Sequence, residues 1–89
     1  MKISKQKQEK ISEQILALLY PLFPKSMFTS HIAREIARDE EFTKRILLNL
    51  KNKGLVVEIK KNMKGEQYLK RIRWRLSNLT FEAYKSSIF

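Results

Sequence analysis

Hydrophobic positions along the chain follow a helical period in its first half and alternate in its second. Ile11, Ile15, Leu18, Leu19 and Leu22 form the one-sided stripe of a first helix predicted over about Ser4 to Tyr20. Pro21 and Pro24 close it, because proline lacks an amide hydrogen and disfavours helix in the residue before it. An apolar connection runs from Tyr20 to Phe28, and Met27 and Phe28 suit a very short strand. Ile32, Ala33, Ile36 and Ala37 then form the inward face of a second helix, about Ser30 to Arg38, with Thr29 or Ser30 as its hydroxyl cap. His31, Arg34, Glu35 and Arg38 face out.

The third stripe organises the rest. Ile46, Leu47 and Leu50 share one helical face, with Phe42 and Thr43 at its upper edge. Lys44, Arg45, Leu48, Lys51 and Asn52 fall on the opposite side. Asp39 is placed to cap this helix, and Glu40 and Glu41 suit the partial positive charge of its first turn. Gly54 follows its end near Lys53, where a residue tolerant of positive φ is needed.

Beyond Gly54 the period becomes two. Leu55, Val57 and Ile59 alternate with Val56, Glu58 and Lys60; Asn62 to Glu66 reads as a turn pivoting on Gly65. From Tyr68 to Leu76 the alternation resumes, with Ile72, Trp74 and Leu76 on one face and Arg71, Arg73 and Arg75 on the other. Two such strands across a short loop predict an antiparallel hairpin. Asn78 to Phe89 carries Leu79, Phe81, Tyr84 and Ile88 and predicts a short final helix. The expectation is a single mostly helical domain over residues 1–89 with a small β-hairpin, a basic N-terminal arm or helix start at about 1–10 and a C-terminal helical segment at 77–89.

Charge changes this picture. Nineteen Lys and Arg against nine Asp and Glu give a formal net charge of +10, which suits a polyanionic partner. Residues 41–76 hold eleven bases and three acids, whereas residues 1–40 hold seven and five, so the surplus coincides with the third helix and the hairpin. The chain has no cysteine, which removes disulfides and thiolate chemistry and fits a reducing interior. No apolar run reaches the ~18 residues of a membrane span, and the N-terminus lacks a signal-peptide pattern, so a cytoplasmic protein is expected. The single histidine, with no glycine-rich phosphate loop and no spaced ligand cluster, argues against an enzyme, a metal or a cofactor. The lysine- and isoleucine-rich composition suits an archaeal or thermophilic source.

Ile32-Ala33-Arg34-Glu35-Ile36, followed by Ile46-Leu47-Leu48-Asn49-Leu50-Lys51-Asn52-Lys53-Gly54-Leu55-Val56, resembles the winged helix-turn-helix family over about residues 11–76. Leu47, Leu50, Gly54, Leu55 and Val56 fit that family's closing motif without gaps. The chain departs from the pattern at Ala37, where a glycine is usual, and at Arg38, where the turn residue is usually apolar. Thr43 stands where valine or isoleucine usually anchors the helix, and Phe42 is expected to take over that packing. Glu40 and Glu41 put negative charge at the helix end that the family points at DNA; they repel phosphates, or one accepts from a cytosine amino group.

The resemblance implies sequence-specific binding to double-stranded DNA by a small transcriptional regulator, with the third helix in the major groove and the wing on phosphates. Lys44, Arg45, Leu48, Lys51 and Asn52 are then the contact candidates of the third helix, where Arg45 suits guanine, Asn52 adenine, and Leu48 either a thymine methyl or the underside of the wing. Lys60, Lys61 and Lys64 lie near the wing tip. Arg71, Arg73 and Arg75 form a cationic stripe that needs an offset from solvent ions, Glu58 across the hairpin or nucleic acid. Trp74 is expected in the core and His31 on the surface. A homodimer through the first helix or the C-terminal segment is the expected assembly. The same fold used on RNA or an acidic protein is the alternative.

Overall fold

A computed structural model describes residues 5–60 and 72–88. Helix α1 spans Lys5–Leu19 and buries Ile11, Ile15, Leu16 and Leu19. Leu16 takes the place expected for Leu22, because Pro21 converts the next turn, Tyr20–Leu22, to a tighter 3-10 form. That change of period carries Leu22 to the surface. Strand β1 is the two-residue Met27–Phe28, and α2 covers Thr29–Glu35, shorter than its stripe predicts. Helix α3 covers Glu40–Asn52, β2 Val56–Ile59, β3 Arg73–Leu76 and α4 Asn78–Ile88. Among the described residues the strands form one antiparallel sheet in the order β1-β3-β2.

The core joins α1, α2, α3 and one face of the sheet. Ile15, Leu19, Ile32, Leu47, Leu50, Trp74 and Leu76 are its fully buried large residues. Each such side chain contributes about 1.5–3 kcal/mol by leaving water. Trp74 is in the core as expected, and its indole Nε1–H donates to Thr29 Oγ1 at 2.8 Å. The Thr29 hydroxyl in turn donates to Ile72 O at 3.3 Å. Thr29 therefore does not cap α2, whose N-terminus has no side-chain cap; its hydroxyl is used to satisfy a buried donor from the wing strand.

Helices α2 and α3 end alike. After α3, the Leu55 amide donates to Leu50 O and the Gly54 amide to Lys51 O, each at 2.9 Å, with Gly54 at φ +78°. After α2, the Arg38 amide donates to Ala33 O at 3.0 Å and the Ala37 amide to Arg34 O at 3.2 Å, with Ala37 at φ +57°. Both close a helix through a left-handed residue. Ala37 is thus exposed at the turn rather than inward on α2, and it adopts the backbone that the related pattern gives to glycine.

The hairpin register corrects one further expectation and decides a face that alternation leaves open. Val56 pairs with Leu76 and Glu58 with Trp74, so Val56 and Glu58 share the core side of β2. Glu58 is therefore on the opposite face from Arg73 and Arg75, whose partners across the ladder are Ile59 and Val57, and it does not offset their charge. Leu55-Val56-Val57 is apolar on both faces, so alternation alone left its inward side open; pairing with β3 decides it.

Candidate nucleic-acid interface

The candidate interface is built on α3. Asp39 caps it as expected, its Oδ1 accepting from the Phe42 amide at 2.7 Å. Thr43 is fully buried and donates its hydroxyl to Asp39 O at 2.8 Å, so it anchors the helix itself. Phe42 stays half-buried under the Arg38 guanidinium, 5.8 Å from the ring centre. With Ile46, Leu47 and Leu50 buried beneath, Lys44, Arg45, Leu48, Lys51 and Asn52 all stand exposed on the outer side. Leu48 lies on this open face, 37% exposed. Asn49 is exposed between Arg45 and Asn52, a position sequence reading passed over although it lies one helical turn beyond Arg45.

The wing adds a charged link. Lys51 Nζ meets Glu58 Oε1 at 2.8 Å, and Lys60 Nζ approaches the same oxygen at 3.6 Å. Lys61, Lys64, Arg71 and the Asn62 to Glu66 turn lie outside the described residues. Arg73 and Arg75 are half-buried on the outer sheet face and find aromatic partners: Arg73 stacks over Phe28 and Arg75 over Phe23, each 5.9 Å from the ring centre. Ring faces carry partial negative charge, which supplies part of the offset the stripe requires. Arg75 also donates to Leu76 O at 2.8 Å, at the entry to α4. His31 is exposed, its ring edge-on to Phe28 at 5.6 Å.

Helix α4 packs Phe81 on Phe23, with ring centres 4.1 Å apart, and Tyr84 against Tyr20 at 5.4 Å. It leaves Leu79 84% exposed. Leu79 borders an open groove of about 580 Å³ shared with Leu16, Leu55, Thr80, Ala83 and Tyr84. Among the described residues no three His, Cys, Asp or Glu side chains are grouped to hold a metal, and no helix is long and apolar enough to cross a membrane.

Helix, turn, helix and paired wing strands define a winged helix-turn-helix fold. No family model matches the chain, and no curated protein matches it in sequence. Solved structures do. MepR of Staphylococcus aureus, in a complex with DNA, is similar at a TM-score of 0.70 and 21% identity, over 93% of this chain and 70% of MepR. MepR described as a transcription regulator of the S. aureus multidrug efflux pump MepA is similar at 0.68 and 21%, over 92% of this chain and 62% of that one. ZitR of Lactococcus lactis, a zinc-responsive MarR family member, matches at 0.67 and 15%, over 99% of this chain and 53% of ZitR. The chain thus spans between 53% and 70% of these proteins' length. At such identities the likeness establishes the fold.

Proposed function

We propose that the chain binds double-stranded DNA through α3 and the wing and acts as a small transcriptional regulator, without enzymatic activity and without a cofactor. The observation that carries this reading is the uncovered face of α3. Lys44, Arg45, Lys51 and Asn52 stand exposed on a helix fixed by a buried opposite side, on a fold shared with MepR, for which a DNA complex is solved. Arg45 and Asn52 have the donor geometry for guanine and adenine edges, and the lysines supply phosphate contacts. Lys61, Lys64, Arg71, Arg73 and Arg75 join them as contacts of the wing. Glu40 and Glu41, exposed in the first turn of α3, exclude phosphates from that end and favour a cytosine amino group.

Selection of bound sequences from a random duplex library at two salt concentrations tests the proposal. Six phosphate contacts give a log–log salt slope of about −5. Arg45→Ala relaxes the selected sequence at one position, whereas Lys44→Ala weakens all sequences alike. Absence of duplex binding at low salt refutes the reading, and a preference for single-stranded RNA replaces it with the RNA-binding use of the same surface. The protein works in the cytoplasm as a homodimer formed through α1 or α4, where the exposed Leu79 and its apolar groove find cover. Sedimentation showing a monomer at high concentration refutes the dimer.

A further inference from the structure

Glu58 occupies an unusual place. It follows Val56 on the core side of β2 and stands opposite the fully buried Trp74, in a row where an apolar residue would cost nothing. Its side chain is 6% exposed, while its two ammonium partners, Lys51 and Lys60, are 44% and 53% exposed. The carboxylate is therefore the fixed member and the lysines are the movable ones. One lysine comes from α3 and the other from the end of the wing strand, the two elements that the reading above lays on DNA.

We propose that Glu58 is a built-in counter-anion that occupies the place of a DNA phosphate between Lys51 and Lys60 and so lowers sequence-independent affinity. The inference rests on the DNA-binding reading. A long, flexible ammonium side chain exchanges one oxyanion for another at little geometric cost. A phosphate entering between α3 and the wing must compete with a carboxylate already 2.8 Å from Lys51. Two cations and one anion leave the cluster a net charge of one, so on average one fewer counterion is released when a polyanion binds. The contacts that read bases, Arg45 and Asn52, are untouched by Glu58 and keep their full contribution. The result is a lower background on all sequences beneath the same discrimination between them.

Glu58→Gln keeps the shape and an acceptor for Lys51 while removing the charge, and Glu58→Met removes both in a similar volume, so that one of the two supplies a folded protein. Affinity for a mixed-sequence duplex is measured by fluorescence anisotropy across a salt series, alongside the elution salt from a heparin column. Either variant is expected to steepen the log–log slope by about 0.9 and, for an unchanged intercept at 1 M salt, to bind about eightfold tighter at 0.1 M. It also elutes later from heparin. Combining Glu58→Gln with Lys51→Gln restores the original net charge and returns slope and affinity to those of the natural chain. A variant that binds duplex and heparin no better than the natural chain, or more weakly, overturns the inference and marks Glu58 as a strut for the wing. Later elution from heparin in a protein that binds no duplex upholds the counter-anion and refutes the proposed function instead.

Discussion

The same helix ending occurs twice among the described residues, once with glycine and once with alanine, which makes a paired test of backbone strain possible. Ala37 sits at φ +57° and Gly54 at φ +78°, each closing its helix with the same two amide donations. An L-residue in left-handed backbone costs roughly 1–2 kcal/mol, because Cβ approaches the following carbonyl. Glycine escapes that cost but gives the unfolded chain more freedom, which returns about 0.4–1 kcal/mol. Ala37→Gly is therefore expected to stabilise the fold by about 1 kcal/mol. Gly54→Ala is expected to destabilise it by about the same amount, since an added Cβ at Gly54 meets nothing within 4 Å and the penalty is purely conformational. For a domain of this size, about 1 kcal/mol moves the melting temperature by roughly 4–8 °C. Thermal unfolding followed by far-ultraviolet circular dichroism reads both shifts, and the doubly substituted chain should melt near the natural one. An Ala37→Gly variant that melts no higher than the natural chain, or a Gly54→Ala variant that melts no lower, refutes the assignment of strain to these two positions.

Substitutions at Thr29 and Asp39, each with a milder control, test how α2 and α3 are held. Thr29→Val removes the acceptor of the buried Trp74 Nε1–H and should cost about 1–3 kcal/mol, the price of an unpaired buried donor; Ile72 O keeps the Thr29 amide as a donor at 3.2 Å in either variant, and Thr29→Ser, which retains the hydroxyl, should cost far less. The fluorescence of the chain's one tryptophan follows urea unfolding of both, and equal stabilities would show that the hydroxyl is dispensable. Asp39→Ala removes the cap of α3 and should cost about 0.5–2 kcal/mol in the same urea assay, with a larger loss of helical signal than Glu40→Ala produces.

Helix α3 was legible in the sequence because every local signal there agrees: an acidic cap and first turn, a one-sided stripe, and a glycine after the last turn. The exposed ridge from Lys44 to Asn52 follows from that agreement. Elsewhere tertiary contacts outweighed local ones. The hydroxyl of Thr29 suits a cap, but a buried indole N–H claims it, and the partner lies in a strand more than forty residues away. Ala37 reads as one more apolar position on a stripe, yet its backbone belongs to the turn. Leu22 continued a helical period that Pro21 had already ended. The place of Glu58 depended on which face of an all-apolar run turned inward, and only the register with β3 decides that. For Arg73 and Arg75, spacing showed a stripe in need of a counterpart but carried no trace of Phe28 and Phe23, which reach it through the fold.

The central place of β3 has a mechanical consequence. Its four residues, about 13 Å long at an ordinary strand rise, are joined on one side to β1 and on the other to β2. Through Trp74 the strand grips the first residue of α2, and beyond Leu76 only Ser77 separates it from α4. A pull on the C-terminal helix therefore travels down a short taut rod to the elements that carry α3, with no slack segment on the way. Lengthening the junction at Ser77 by a few glycines would slacken that rod while leaving every strand pair in place.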